Sequence, residues 1–143
     1  MIQENISLKP YNTFGIDVYA KAFATFQSLA ELEEALSAQQ TKRHFILGGG
    51  SNILLTKDFD GLVLKNEISG IEVTGEDEDF VYIKVGAGEA WHHFVLYCLE
   101  HDYAAVEILS HIPGSVGASP MQNIGAYGVE IKDVFHQLEA YHV

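Results

Sequence analysis

The sequence predicts a soluble α+β protein that forms one ordinary domain or two small lobes sharing a core. Two stretches with the apolar spacing of helices lie among short apolar or alternating stretches that are typical of strands, with glycine-rich loops between them. The chain has 143 residues, 48% of them hydrophobic. A chain of this size buries roughly 68–70% of its unfolded surface, so a sizeable core is expected.

The first half of the chain is predicted to begin as a compact β–α–β arrangement. The sequence YNTFG at residues 11–15 precedes it and suggests ordinary turn chemistry. Ser28 opens a helix, because it has capping-box spacing to Glu31, and the helix is predicted to end near Gln39 and Gln40. Three leucines are expected on its buried face: Leu29, Leu32 and Leu36. Short strands are expected around this helix at residues 16–20, 22–27 and 44–47.

The strand at residues 44–47 runs into a loop of five small residues: Gly48, Gly49, Gly50, Ser51 and Asn52. Three consecutive glycines cost conformational entropy, so their presence after a buried strand requires a reason. Successive backbone amides can form an anion site, and the last two side chains add donors. The loop is therefore predicted to cradle a pyrophosphate. The alternative is a flexible turn before a strand at residues 53–56. It is not a Walker loop, because no Gly-Lys-Ser/Thr sequence follows.

The second half of the chain is predicted to contain a hairpin, a helix and a final strand. One hairpin strand begins at residue 71, the other covers residues 80–85, and an acidic turn at residues 75–79 joins them. A helix is expected over residues 89–101. Its apolar face is predicted to consist of Trp91, Val95, Cys98 and Leu99. Further strands are expected at residues 62–64 and 134–143.

The hairpin is followed by the sequence GAGEAW at residues 86–91, which imitates the start of a dinucleotide fingerprint. In that fingerprint a third glycine allows close packing of the helix on the strand. Trp91 stands at that position, and its indole argues against a Rossmann unit. Gly86 and Gly88 are interpreted instead as a sharp turn into the helix.

The stretch from Ile112 to Gly128, IPGSVGASPMQNIGAYG, has neither helical nor strand periodicity and is predicted to be an ordered loop. Five apolar residues are expected to anchor it: Ile112, Val116, Met121, Ile124 and Tyr127. A loop of this length in a compact domain is usually functional or disordered. Its glycines let backbone approach a ligand, and its uncharged amides suit a polar, planar molecule. The alternative is a tight connection between two strands.

Charge and composition exclude several classes of function. The formal net charge is −12 and Arg43 is the only arginine, so the surface repels nucleic acid and acidic membranes. No apolar run approaches the roughly 20 residues that span a bilayer, and the N-terminus lacks the pattern of a secretory signal. The single cysteine, Cys98, is expected to be a buried helix residue in a reducing cytoplasm. The seven histidines show no metal-ligand spacing, so no metal is expected.

Four pieces of the chain resemble the MurB family, the UDP-N-acetylenolpyruvoylglucosamine reductases of peptidoglycan synthesis. They are NTFG at residues 12–15, LGGGSN at 47–52, VGAGEAW at 85–91 and IPGSVGASPMQNIGAYGVEI at 112–131. The pieces occur in the family's order and spacing, and QNIGAYG is highly specific. The resemblance implies an FAD-binding domain of the PCMH, or vanillyl-alcohol-oxidase, type. It would have two α+β lobes, at residues 1–66 and 67–143, with FAD between them.

The resemblance also assigns residues to a non-covalently bound FAD. In the first loop these are Leu47, Gly48, Gly49, Gly50, Ser51 and Asn52, with the pyrophosphate on the last five. The ribityl chain and flavin would be lined by Ile112, Pro113, Gly117, Ala118, Gln122, Asn123, Gly125, Ala126 and Tyr127. Gly125 would permit close approach to the ring, and Gln122 and Asn123 would bond its polar edge. Ala118 lacks the hydroxyl that a serine supplies in some relatives.

In this family NADPH passes a hydride to the flavin, and the reduced flavin passes a hydride to UDP-N-acetylglucosamine enolpyruvate. An arginine, a glutamate and a serine assist, and all three lie beyond the QNIGAYG motif. No residue here matches them, since Arg43 lies far upstream. The chain is therefore expected to be a truncated, inactive portion of a cytoplasmic enzyme, without the C-terminal substrate-binding domain. Its oligomeric state is left open.

Two other functions stay open at this point. The chain can belong to another PCMH-type flavoprotein, an oxidase or dehydrogenase of small alcohols, although QNIGAYG argues against it. It can also be a non-catalytic nucleotide-binding module in which no flavin chemistry occurs. Titration with flavin separates the module from the flavoproteins, and peroxide formation by a full-length protein separates the oxidase from the reductase.

Overall fold

The computed structural model describes residues 1–38 and 43–142, in two compact units. The first unit is Met1–Ile68 and the second is Ser69–Val143. Within the described residues, each unit combines strands with one α-helix and at least one short 3-10 turn, in agreement with the predicted α+β class. No helix in these described ranges is long and apolar enough to cross a membrane.

The first unit is built on a four-stranded sheet. Its strands are β1 (Gln3–Ser7), β2 (Tyr19–Phe26), β3 (His44–Leu47) and β4 (Phe59–Asn66). Their order in the sheet is β1-β2-β4-β3. β1 is antiparallel to β2, whereas β2, β3 and β4 run parallel to one another. The carboxyl ends of the three parallel strands therefore share one edge, where ligands of open parallel sheets commonly bind.

One α-helix, α1 (Leu29–Ala38), connects β2 to β3. The Ser28 hydroxyl accepts a hydrogen bond from the Glu31 N–H at 3.2 Å, as the capping box predicts. The Glu31 carboxylate, however, accepts from the N–H of Gln27, one residue earlier than the box requires. The predicted helix end near residues 39–40 lies outside the described residues.

The expected buried face of α1 is partly wrong. Leu32 and Ala35 are buried and Leu36 packs against the same cluster, but Leu29 is exposed. Leu29 is the first residue of the helix, and the row that contacts the sheet starts one turn later. That row packs on one face of the sheet, against Ala22, Ala24, Phe26, Leu62 and Leu64.

The opposite face of the sheet is covered by irregular chain. Residues such as Leu8, Val18, Ile53 and Leu55 pack there against the sheet's Phe23, Leu47 and Val63. The strand predicted at residues 53–56 is therefore wrong, since this stretch has no regular structure. β3 and β4 are parallel neighbours, so the chain must travel back along the sheet between them, and residues 53–56 serve this return.

The remaining strand boundaries differ from the expected ones. Residues 16–20 and 22–27 contribute to one strand, β2, and residues 62–64 lie within the longer β4. β1 was not expected at all, because its sequence QENIS has little apolar content. β1 forms because its backbone pairs with that of β2, although its own side chains give little strand pattern.

The second unit contains the predicted hairpin and helix. The hairpin strands are β5 (Ile71–Glu76) and β6 (Val81–Val85), and the helix is α2 (Trp91–Glu100). A second, very short hairpin is formed by β7 (Gly125–Ala126) and β8 (Val129–Glu130). Trp91, Val95 and Cys98 of α2 are buried as expected, but Leu99 is exposed, because it follows Cys98 by one step around the helix.

The strand predicted at residues 134–143 is also wrong over its described part, residues 134–142, which have no regular structure. Side chains hold this segment beside β6. Lys84 forms an ion pair with Glu139 at 3.0 Å, and the rings of Tyr82 and His136 lie 4.9 Å apart. An alternating sequence becomes a strand only when a neighbour supplies the backbone ladder, and the described part of the segment has no such ladder.

Candidate functional site

The first candidate region is the loop of residues 48–52, called here the glycine loop, which leaves the carboxyl end of β3 in the first unit. Gly50 has a φ of +69°, and a Cβ there would lie 2.0 Å from the Tyr11 carbonyl oxygen. The Gly50 carbonyl accepts a hydrogen bond from the Thr13 N–H at 3.0 Å. Residue 50 must therefore be glycine because the turn at residues 11–15 lies directly against the loop.

That turn is fixed in place by Asn12, whose side chain is buried. The Asn12 amide nitrogen donates to the carbonyls of Leu8 at 2.8 Å and Ile16 at 3.0 Å. Its oxygen accepts from the Ile16 N–H at 2.9 Å. One side chain thus satisfies three backbone groups, and the asparagine of the NTFG motif serves to hold the surface on which the glycine loop rests.

The glycine loop keeps backbone donors available. The N–H groups of Gly48, Gly49 and Ser51 have no hydrogen-bond acceptor within residues 1–38 and 43–142. None of the three residues is buried, so this part of the loop lies at the protein surface. Closely spaced N–H donors of this kind are what an anion such as a phosphate oxygen requires. The loop therefore offers donors of the kind that such a group needs.

The second candidate region is Ile112–Gly128 in the second unit, called here the glycine segment. It is ordered by 3-10 turns at Val116–Ala118 and Pro120–Gln122 and by the β7–β8 hairpin. Ile124 is buried, and Ile112 and Val116 pack against the core cluster of α2, as expected of anchors. The other two expected anchors are wrong, because Met121 and Tyr127 are 88% and 96% exposed.

The glycine segment pairs with the turn that precedes α2. The Gly117 N–H donates to the Ala87 carbonyl and the Val116 N–H donates to the Glu89 carbonyl, both at 2.9 Å. A Cβ on Gly117 would lie 2.6 Å from the Ala87 Cβ. The glycine at 117 is therefore required by its contact with residue 87.

The turn before α2 is the sharp one that the sequence predicts. The Glu89 N–H donates to the Gly86 carbonyl at 3.1 Å, and the Trp91 N–H donates to the Gly114 carbonyl at 3.0 Å. The buried Trp91 indole donates to the Leu109 carbonyl at 2.7 Å. Trp91, whose indole argues against a Rossmann unit, therefore anchors the chain that leads into the glycine segment.

An open cavity of about 540 Å³ lies along the glycine segment. It is lined by Ile112, Gln122, Asn123, Ile124, Gly125, Ala126, Tyr127, Gly128, Val129 and Glu130. Six of the predicted flavin contacts meet there: Ile112, Gln122, Asn123, Gly125, Ala126 and Tyr127. Pro113, Gly117 and Ala118 are not among its lining residues. The volume is in the range of ordinary small-molecule pockets.

The tip of the QNIGAYG motif is a tight hairpin turn. Tyr127 and Gly128 have φ values of 53° and 88°, the pattern of a two-residue type I′ connection between β7 and β8. A Cβ on Gly125 would lie 2.9 Å from the Val129 carbonyl oxygen. Gly125 is thus already required by the hairpin, whatever else approaches it, and Tyr127 presents its ring to solvent in a backbone conformation uncommon for tyrosine.

Asn123 is engaged within the fold. Its side-chain oxygen accepts from the Lys132 N–H at 3.2 Å, and its backbone is left-handed, with a φ of 46°. The Lys132 ammonium, and after it the Asn123 amide, lowers the pKa of the Glu130 carboxyl from its usual value. Sequence reasoning missed Glu130, which lines the cavity as an ionised carboxylate; its only sequence signal is its place just after the motif.

The single cysteine is poorly suited to nucleophilic chemistry. Burial raises the pKa of the Cys98 thiol to about 11, so it stays protonated near neutral pH and is a poor nucleophile. Among the residues that the structure describes, no group of three or more His, Cys, Asp or Glu side chains is placed to hold a metal ion. The glycine loop offers backbone amides, and the cavity along the glycine segment offers uncharged side chains together with the Glu130 carboxylate.

The fold is that of a cofactor-binding domain. The sequence profile of the FAD binding domain family matches residues 20–143. Because this is most of the chain, the chain belongs to the FAD binding domain family. The match, together with the structural similarity given below, confirms the predicted fold class of an α+β, PCMH-type FAD-binding domain.

Curated relatives carry the name that the motifs pointed to. A UDP-N-acetylenolpyruvoylglucosamine reductase of Flavobacterium johnsoniae is 50% identical over 142 residues, covering 99% of this chain and 42% of that protein. The enzymes of that name from Amoebophilus asiaticus and Pseudomonas putida are both 51% identical, over 99% and 96% of this chain. The chain spans less than half the length of these relatives, 42% and 41% of the latter two.

A solved structure shows the same relationship. The crystal structure of UDP-N-acetylenolpyruvylglucosamine reductase (MurB) from Thermus caldophilus superposes with a TM-score of 0.74 at 26% identity. The similarity covers 93% of this chain and 47% of that one. The resemblance to the MurB family, stated above from four short motifs, is thereby confirmed.

Proposed function

We propose that this chain is the FAD-binding portion of an NADPH-dependent UDP-N-acetylenolpyruvoylglucosamine reductase of peptidoglycan synthesis. The glycine loop carries the proposal: its accessible N–H donors lie at the carboxyl edge of parallel strands, in a chain of formal net charge −12. An acidic protein that binds a diphosphate needs local donors, and this loop supplies them. Relatives about 50% identical over nearly the whole chain support the assignment to this reductase.

Within this proposal the two regions hold different parts of FAD. Gly48, Gly49, Gly50, Ser51 and Asn52 bind the pyrophosphate, with Leu47 leading into them. The ribityl chain and flavin lie against the glycine segment, through Ile112, Pro113, Gly117, Ala118, Gln122, Asn123, Gly125, Ala126 and Tyr127. The lobe boundary proposed for this arrangement is at residues 66 and 67.

The chain's own residues bind and orient, and they do not perform the chemistry. Bound FAD supplies hydride transfer, from NADPH to the enolpyruvyl group of UDP-N-acetylglucosamine enolpyruvate. The Asn12 side chain fixes the turn that supports the glycine loop, and the β7–β8 hairpin supplies part of the cavity lining. We propose that the arginine, glutamate and serine of the family's mechanism have no counterpart in this chain, that it has no turnover alone, and that its enzyme works in the cytoplasm.

Titration of the purified chain with FAD tests the proposal. We expect saturable quenching of flavin fluorescence and a yellow protein after gel filtration, because the flavin leaves water for the cavity. ADP should compete, since it shares the pyrophosphate. A chain that binds a UDP-sugar while flavin fluorescence stays unchanged would instead be a nucleotide-binding module. Oxidation of NADPH that depends on the enolpyruvyl nucleotide would contradict the proposed inactivity.

A further inference from the structure

Lys65 occupies an unusual place in the first unit. It is the penultimate residue of the central strand β4 and is half-buried. Its Cα lies opposite Leu47 of β3 and Thr25 of β2. Side chains alternate along a strand, so Lys65 faces the same side of the sheet as Val63. Val63 packs there against the cluster that includes Tyr11 and Leu47, on the side away from α1.

The strand ladder locates the Lys65 ammonium beside the glycine loop. The Leu62 N–H donates to the Arg43 carbonyl. In a parallel ladder the bonding residues alternate along each strand, so the odd-numbered residues of β3 donate their N–H groups to the even-numbered residues of β4. The next N–H in that series is Gly49, and its acceptor would be the Asn66 carbonyl. Instead, the Lys65 ammonium donates a hydrogen bond to the Asn66 carbonyl, at 3.3 Å. The positive charge therefore lies where the glycine loop leaves the sheet.

The charge of Lys65 is not matched by an acid. Among the residues that the structure describes, three other lysines form ion pairs with carboxylates: Lys21 with Asp60, Lys84 with Glu139 and Lys132 with Glu130. In the part of the chain that the structure describes, no carboxylate pairs with Lys65, although the chain carries 20 acidic residues. A half-buried ammonium that has only one long bond to a neutral carbonyl gains from an anion placed nearby.

We propose that the Lys65 ammonium binds the diphosphate of the nucleotide cofactor held by the glycine loop. The inference rests on the proposed function, because it takes that cofactor to be the loop's ligand. It adds a charged side chain to the expectation drawn from the sequence, in which backbone amides and the short side chains of Ser51 and Asn52 supply the attraction. Lys65 acts in binding: it adds a charge-assisted hydrogen bond and offsets the repulsion of an acidic protein.

Flavins with and without phosphate test this directly. Lys65→Gln should weaken FAD binding by about tenfold or more, the usual size of a lost charged hydrogen bond, and leave riboflavin binding unchanged. Lys65→Arg should retain most of the FAD affinity. Lys21→Gln removes the same charge from an exposed ion pair elsewhere on the sheet and should leave FAD affinity within about twofold. Thermal unfolding of each variant shows whether the fold is kept.

The outcomes separate this inference from the proposed function. If the unaltered chain binds no FAD, both the proposed function and the inference on Lys65 are wrong. If the unaltered chain binds FAD and Lys65→Gln binds it equally well, only the inference on Lys65 is wrong. The same holds if Lys65→Gln loses the binding of FAD and of riboflavin to the same extent. Acetylation of the unaltered chain, mapped by mass spectrometry, gives a second test that needs no variant. FAD should protect Lys65 and riboflavin should not, and equal labelling of Lys65 with both would overturn the inference.

Discussion

The glycine loop and the glycine segment have similar compositions but are held by different means. The loop at residues 48–52 is supported from outside, by a turn that the buried Asn12 side chain keeps rigid. The segment at residues 112–128 is held by its own backbone, which bonds to the turn before α2, and by Ile124 in the core of the second unit. A side chain therefore stabilises the glycine loop, whereas main-chain hydrogen bonds stabilise the glycine segment.

This difference decides what each region can offer a ligand. Because another residue holds the glycine loop, its own N–H groups stay available to an anion. In the glycine segment the N–H groups of Val116 and Gly117 and the Asn123 side chain are already used. The loop therefore suits a charged diphosphate, whereas the segment presents a cavity wall and an exposed tyrosine ring, which suit a flat molecule.

The largest expected effect on stability is that of Gly50→Ala, which disturbs the contact between the glycine loop and its supporting turn. The new Cβ would lie 2.0 Å from the Tyr11 oxygen, in a backbone conformation that disfavours alanine. We expect a loss of about 3 kcal/mol or more in the free energy of unfolding, measured with urea. Gly15→Ala is the matched control, since its φ is also positive but no atom lies within 4 Å, and it should cost only about 1 kcal/mol. Equal costs would mean that the turn does not support the loop.

Gly117→Ala tests the main-chain support of the glycine segment. Its Cβ would lie 2.6 Å from the Ala87 Cβ, so we expect a loss of about 2 kcal/mol in stability and weaker flavin binding. Ala87→Gly in the same chain should restore part of the stability. Gly75→Ala, whose Cβ would meet Tyr82 at 3.7 Å, is the control and should cost little. A Gly117→Ala chain as stable as this control would show that the close packing is not needed.

Alkaline pH should weaken the core that holds the glycine segment. An unfolded thiol ionises near pH 8.5, whereas folded Cys98 keeps its proton until about pH 11. Below about pH 8.5 both states are protonated and the stability is full; as the pH rises to about 11, the unfolded state alone loses the proton, so stability falls. We expect a loss of about 3 kcal/mol across this window.

Cys98→Ala provides the control for the alkaline prediction. It should lower stability at every pH through lost packing, but it should remove the part of the pH slope that belongs to the thiol. Urea unfolding at several pH values from 8 to 11 measures both slopes. Identical slopes in the two chains would contradict the link between Cys98 and the alkaline loss.

The smallest expected effect concerns Tyr127 at the hairpin tip. Asparagine tolerates a positive φ better than tyrosine, so Tyr127→Asn should raise the free energy of unfolding by about 0.5 kcal/mol. The same change removes an exposed ring from the cavity and should weaken flavin binding. Tyr127→Phe keeps both the backbone strain and the ring, and should change neither property. Stronger or unchanged flavin binding by Tyr127→Asn would argue against a ring contact with the flavin.

Much of the local structure could be predicted from residue type and spacing. The capping residue Ser28, the sharp turn at residues 86–88, the β5–β6 hairpin and the α2 helix each depend on neighbouring residues, and each was found. The two glycine-rich regions could also be recognised, because glycine in such numbers is unusual in packed elements. The QNIGAYG motif pointed to the family that the relatives then supported.

What could not be predicted depends on partners distant in sequence. β1 has little strand pattern and forms because β2 pairs with it, whereas residues 53–56 and 134–142 look like strands and have no ladder. Of five expected anchors, Met121 and Tyr127 are exposed, since hydrophobicity alone does not give the direction of a side chain in an irregular segment. Lys65 carried no sequence signal as a binding residue.

By itself the sequence determined where glycine-rich loops interrupt the strands and helices, and which family the chain belongs to, because turn chemistry and motifs are local properties. Only the tertiary structure decided why the glycines are needed. Gly50 meets the turn at residues 11–15 and Gly117 meets Ala87, contacts between chain segments far apart in sequence. The order of the sheet likewise placed Lys65 beside the glycine loop, because a parallel strand brings together residues that no sequence spacing connects.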